Sequence, residues 1–276
     1  MEDMTLAQRM KGYEDIYKTY LKFGTPKIIR VDMRSGKKFT ETLVKPFDQL
    51  FSDCMVGTMK YLCKNIPGAK LGYTQSDEIT IIIKDINKDN QTVDFFNNSL
   101  TKIISNVASM TTLEFNRLWS EEINIFLKSH NISQEDALLN PRYSTVVPYI
   151  KNQMLATFDC RYFSLPNLVE VSNNLIWRQQ DCYRNSLNNL AYRYFNPKEL
   201  EGKNLNERAK MLKDCNVNIN NYPNKYFKGI VCYRIPSIKN GTKRIVWQDN
   251  VAPSFLNNLS FIENCYNEKG MFDLDI

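Results

Sequence analysis

In the stretch LGYTQSDEITIII, Asp77 and Glu78 stand at the mouth of an apolar run, and Asp32 closes the β-branched run KIIRVDM. A carboxylate at the end of a buried strand must be neutralised by something. A salt bridge, a turn-capping hydrogen bond or a metal ion could serve. Magnesium suits acids so placed: it is hard, prefers oxygen, and is held by one or two carboxylates plus substrate phosphates. Two such ions can clamp the attacking and leaving oxygens of a phosphoryl displacement. Arg30, Lys37, Lys38 and Lys45 surround the first acid. They could meet phosphate, Arg as a fork and Lys as a point charge, or could be solvated surface charges.

Other chemistries have little material. The chain has one histidine, His130, inside the polar stretch KSHNISQED. It reads as a surface residue, which leaves Ser-His-Asp and Cys-His catalysis without a base. Seven cysteines are scattered with no C-x-x-C pair, so neither a zinc site nor a disulfide framework is signalled. They read as reduced thiols packed as small hydrophobes. The net charge of +6 mildly favours an anionic partner. No apolar run is long enough for a membrane span. The N-terminus, MEDMTLAQRMKGYEDIY, lacks a signal-peptide core, so the expected location is the cytoplasm.

The elements that must position the acids follow from periodicity. KIIRVDM reads as a buried strand. Phe47, Leu50, Phe51, Cys54, Met55, Met59, Leu62 and Cys63 recur at helical steps after Lys45-Pro46. NIPG at 65–68 stops that helix. Residues 69–74 and 79–84 read as strands joined by a tight turn at 75–78. A second amphipathic helix carries Val93, Phe96, Leu100, Ile103, Ile104, Val107 and Met110. Residues 119–153 read as an irregular insertion or cap, and another strand falls within 154–165. The order β-α-β-β-α-β is the ferredoxin-like, palm-type pattern, an α+β core with an antiparallel sheet and helices on one face. In it the first and third strands are central neighbours, so Asp32 and Asp77 are expected to meet.

A long helix follows over about 172–195, with the polar stripe Arg178, Asp181, Asn185 and Asn189. The stripe either lines a site or is the wet face. A shorter basic helix at about 197–212 carries Lys203 and Arg208. A hairpin at 229–248 and an irregular tail complete the chain. We read 1–166 as the catalytic core and 167–276 as an extension packed on it, forming one structural unit.

The segments IIRVDMRSGKKF (28–39), KPFDQL (45–50), GYTQSDEITI (72–81), SNVASMTTLEFN (105–116), ATFDCRYFSLP (156–166) and NNLIWRQQDCYRNSLNNLAYRYF (173–195) together resemble the tRNA-His guanylyltransferase family. The likeness is greatest to its Thg1-like branch of 3′–5′ polymerases. That resemblance implies nucleotide addition to the 5′ end of tRNA. A 5′-monophosphate is activated with ATP, and the 3′-hydroxyl of an incoming nucleotide then attacks it. It implies two Mg²⁺ ions, ATP or GTP as substrates, and a homotetramer built from dimers. Asp32 and Asp77 match the family's metal-binding aspartates, Glu78 the acid that follows, and Met33 a residue whose carbonyl is used. Arg30, Lys37, Lys45, Ser76 and Asn189 are the expected triphosphate-handling residues. Arg178, Asn185, Lys203 and Arg208 are candidate RNA contacts.

Two departures bear on specificity. Met33 replaces the usual Gly, and the residues at 35–38 leave the usual small-Phe-His pattern. YRNS at 183–186 stands where guanylyltransferases proper carry His-Ile-Asn-Asn. The second departure favours template-directed 5′-end repair over addition of a single G. Another palm-type enzyme, such as a nucleotide cyclase, is a rival reading. So is a non-catalytic RNA-binding sheet, although KIIRVDM offers no aromatic for stacking.

Overall fold

The computed structural model describes residues 4–85, 95–139, 155–239 and 242–268. In chain order its elements are α1 (Leu6–Asp15), β1 (Lys27–Met33), α2 (Gly36–Thr40), α3 (Gln49–Asn65), β2 (Ala69–Gln75), β3 (Glu78–Ile83), α4 (Leu100–Ser129), α5 (Gln134–Leu139), β4 (Phe158–Ser164), α6 (Leu168–Tyr194), α7 (Pro197–Leu200), α8 (Leu205–Asp214), α9 (Asn224–Lys228), β5 (Ile230–Lys239), β6 (Thr242–Val251) and α10 (Leu259–Asn267).

One six-stranded sheet runs β4-β1-β3-β2-β5-β6, with every neighbouring pair antiparallel. Its first four strands have the ferredoxin-like order, and the C-terminal hairpin extends it through β2–β5 pairing. Ile29, Val31, Ile79 and Ile81 pack with Met55, Met59 and Leu62 of α3 and with Ile103, Val107 and Phe115 of α4. Full burial of each such aliphatic side chain stabilises by about 1.5–3 kcal/mol. Helix α3 starts where Asp48 caps it: the backbone N–H of Phe51 donates to Oδ1 at 2.8 Å, and that of Val44 to Oδ2 at 3.0 Å.

Several expectations are corrected. Helices cover both faces of the sheet, because Val171 and Leu175 of α6 and Ile262 of α10 pack on Leu71, Tyr73 and Ile82. This explains why β3 is buried at every position: a strand covered on both sides reads as a continuous apolar run. The second core helix begins at Leu100, after a left-handed kink in which Phe96 has φ 45° and is exposed. It runs on to Ser129, so 119–129 is helix rather than irregular cap. Val93 and residues 140–154 lie outside the described residues. Phe47 precedes α3 and stacks on Tyr226 at 4.4 Å between centroids. The basic helix is broken into α7 and α8, and the tail carries α10.

All seven cysteines are free thiols, six of them buried. Burial pushes Cys54, Cys160, Cys182 and Cys265 up to about 12, which leaves them poor nucleophiles. Among the described residues no helix is long and apolar enough to cross a membrane.

Candidate active site

The β1–β3 register sets Asp32 opposite Glu78, and the Met33 N–H donates to the Asp77 carbonyl at 3.1 Å. Both aspartates therefore lie at one end of the two central strands. Asp77 occupies a two-residue turn with Ser76, whose φ of 50° lets β2 reverse into β3. Burial is the largest influence on Asp32 and pushes its carboxyl up to about 6, with repulsion from Asp77, Glu78 and Asp159 adding to it and Arg161 opposing. Asp77 is also raised by burial, against hydrogen bonding from Ser76 and from its own backbone. Among the described residues neither aspartate has a cationic side chain within salt-bridge distance.

Glu78 behaves differently. Its Oε2 accepts from Arg178 Nη1 at 2.9 Å and lies 4.0 Å from Arg30 Nε. Burial raises its pKa, and these two guanidiniums hold it down. The acid triplet thus separates into one ion-paired member and two with no salt-bridge partner among the described residues.

Next to Asp77 opens a cleft of about 960 Å³. Its walls include Lys37, Lys38, Lys45, Ser76, Asp77, Asn185, Asn189, Tyr192, Arg193 and Lys225. The structure therefore gathers five residues expected at the site (Lys37, Lys45, Ser76, Asn185 and Asn189) around one aspartate. Asp32 and Met33 flank the cleft without lining it, and Arg30 lies on the sheet face. Met33 ends β1 with its side chain in the core; the left-handed residue of this segment is Ser35, with φ 56°. A glycine is therefore not needed at position 33.

The remaining RNA candidates fall elsewhere. Arg178 is buried against Glu78 rather than lying on a wet face. Arg208 gives its guanidinium to the Lys203 and Leu200 carbonyls and to Asn188 Oδ1, each at 3.0 Å, and so braces α8 against α6. Lys203 is exposed between α7 and α8.

Hard oxygen donors with no protein cation within salt-bridge distance fit a divalent metal. Among the described residues no group of three His, Cys, Asp or Glu side chains could hold an ion unaided. Asp32 and Asp77 would need the Met33 carbonyl, water or phosphate to complete the shell.

Gly36, which the sequence pattern did not single out, belongs to this site. A Cβ there would lie 1.9 Å from Asp77 Oδ2. Its backbone lies outside the left-handed region, so Gly36→Ala isolates that collision. We expect Gly36→Ala to lower kcat/KM by about 100-fold through displacement of the carboxylate, with little change in Tm. Unchanged kinetics would show that Asp77 need not hold this position. The signal in the sequence was a lone glycine between basic residues in RSGKK.

A family model described as tRNAHis guanylyltransferase matches residues 7–166. An uncharacterized protein, R259, of Acanthamoeba polyphaga mimivirus is 30% identical, over 91% of this chain and 81% of its own. The tRNA(His) guanylyltransferase of Kluyveromyces lactis is 28% identical, over 73% of this chain and 79% of its own. A bacterial tRNA(His) guanylyltransferase (Thg1)-like protein, solved in complex with ATP, superposes with a TM-score of 0.75 at 31% identity, covering 95% of this chain and 99% of that one. Such a protein solved with GTP gives 0.70 at 30% identity, covering 95% and 98%.

Proposed function

The chain belongs to the tRNA(His) guanylyltransferase family and is a nucleotidyltransferase, and from that premise we propose that it extends the 5′ end of tRNA in the 3′–5′ direction, copying the opposite strand. The observation that carries this reading is the cleft itself: lysines and asparagines surround Asp77, beside a second unpaired aspartate at the adjoining strand end. Lys37, Lys38 and Lys45 supply point charges for a triphosphate, and the Asn185 and Asn189 amides offer ribose or base contacts. Lys45 Nζ donates to the Thr40 carbonyl at 2.6 Å, which fixes it at the rim. Asp32 and Asp77 would hold two Mg²⁺ ions, which when bound supply charge neutralisation and an acidified hydroxyl. The RNA 5′-monophosphate would first attack the α-phosphorus of ATP, breaking the α–β anhydride, releasing pyrophosphate and leaving AMP as the activating group. The 3′-hydroxyl of the next nucleotide would then displace the activating group. Base pairing, rather than the protein, selects that nucleotide.

The test is incubation of a 5′-truncated, 5′-monophosphorylated tRNA with ATP, Mg²⁺ and all four nucleoside triphosphates. Extension by the templated number of nucleotides is expected. Addition of one G regardless of template would establish guanylyltransfer alone, and no RNA product would overturn the assignment.

We infer a homotetramer acting in the cytoplasm. Helix α1 buries none of its residues: Leu6, Met10 and Tyr13 are exposed along it, and Ile16 and Tyr17 just after it. An apolar stretch of this kind supports packing against another copy. Deleting residues 1–16 is expected to reduce the mass measured by light scattering; an unchanged mass would remove α1 from the interface.

A further inference from the structure

On the sheet face opposite α3 and α4, strand register sets two rows of side chains. Asp159, Asp32 and Glu78 lie side by side across β4, β1 and β3. Arg161, Arg30 and Thr80 form a parallel row, about 7 Å along the strands. Asp159 and Arg161 are exposed, and the Arg161 guanidinium makes no hydrogen bond or salt bridge among the described residues. Beside these rows stands Trp177 of α6, 51% exposed. Arg178 Cζ lies 3.5 Å and Arg30 Cζ 5.5 Å from its ring centroid. The guanidiniums hold the indole in place, and half of its surface stays in solvent.

The cleft on the α2 side supplies phosphate-binding groups for a nucleoside triphosphate, yet the reaction needs a second kind of substrate, the RNA end. We propose that the Trp177 face receives the other one: the 5′-terminal nucleotide of the RNA, its base stacked on the indole and its 5′-phosphate on the Arg161 guanidinium. The inference rests on the polymerase reading. An indole stacks on any base, so it suits an RNA end of variable sequence. A free guanidinium forks onto phosphate oxygens. The register sets Arg161 one row from Asp32, where the 5′-phosphate must react, and Trp177 stands against Arg30 of that same row. A nucleotide approaching from the α2 side and an RNA end approaching over the sheet would meet at the aspartates without competing for one pocket.

Steady-state kinetics with 5′-monophosphorylated truncated tRNA test this. Trp177→Ala and Arg161→Ala are each expected to raise the KM for RNA by about tenfold or more, with the KM for ATP within twofold of the parent. Trp177→Phe, which keeps an aromatic ring, is expected to retain most of the affinity and guards against a folding artefact. In a separate titration without nucleotide, the same RNA is expected to quench the parent's tryptophan fluorescence, and Trp177→Phe to lose most of that quench. Unchanged RNA KM values in both alanine variants would overturn the proposal, as would a rise in the ATP KM instead. If the parent extends no RNA, the polymerase reading fails, while the fluorescence titration still decides the Trp177 site.

Discussion

Asp32→Ala and Asp77→Ala are each expected to reduce 5′-end extension by about a thousandfold or more, because either change removes a charged oxygen donor from a site whose cations contribute several kcal/mol to the transition state. Neither variant should unfold, and Asp32→Asn should be more stable than the parent. The sign follows from the shift. Asp32 has a folded pKa of about 6, above the roughly 3.9 of an unfolded aspartate. Its contribution to stability is present below about pH 4 and lost as pH rises through 6. At pH 7.5 without divalent cation the ionised group opposes folding, so Asp32→Asn is expected to gain about 1–2 kcal/mol after discounting for partial exposure. At pH 3.5 the gain should vanish. The parent, but not the variant, should gain Tm when Mg²⁺ is added. A variant that extends RNA like the parent, or loses stability at pH 7.5, would show that Asp32 has a structural role instead.

The second large effect concerns Arg178. It neutralises Glu78 from 100 positions away, and both side chains are 8% exposed. Arg178→Leu leaves a buried carboxylate with Arg30 alone at 4.0 Å. Removing one partner of a buried pair typically costs about 3–5 kcal/mol. We expect the unfolding free energy measured in urea to fall by that amount at an unchanged m-value, the midpoint dropping by that loss divided by m. Glu78→Leu added to Arg178→Leu should recover most of the loss, since the penalty comes from the stranded charge. A single-variant cost under about 1 kcal/mol would show that water reaches Glu78 and that the pair is peripheral.

Much of the site was legible because its signals are local. The limits of β1, the turn around Asp77 and the pairing of β1 with β3 follow from β-branched runs, a short polar break and one topology. What was missed depends on contacts far apart in sequence. Periodicity placed Arg178 on a polar stripe, but nothing near it reveals that Glu78 waits across the sheet. The same applies to Arg208, whose three acceptors lie on α6, on α7 and in the turn before α8. Residues 119–129 read as irregular, although a helix can run on with little burial once its first turns are anchored, and α4 does so. Phe96 matched the helical period, yet its backbone is left-handed, which a hydrophobic pattern cannot report. Gly36 was missed because the side chain it accommodates, Asp77, arrives from another strand end.

The most direct test is anomalous diffraction from a crystal of the parent soaked with Mn²⁺ and a non-hydrolysable nucleoside triphosphate. The account predicts manganese peaks within bonding distance of Asp32 and Asp77 carboxylate oxygens, with the triphosphate running from them along Lys37 and Lys45. Manganese bound elsewhere, or a triphosphate seated with both aspartates uncoordinated, would contradict it.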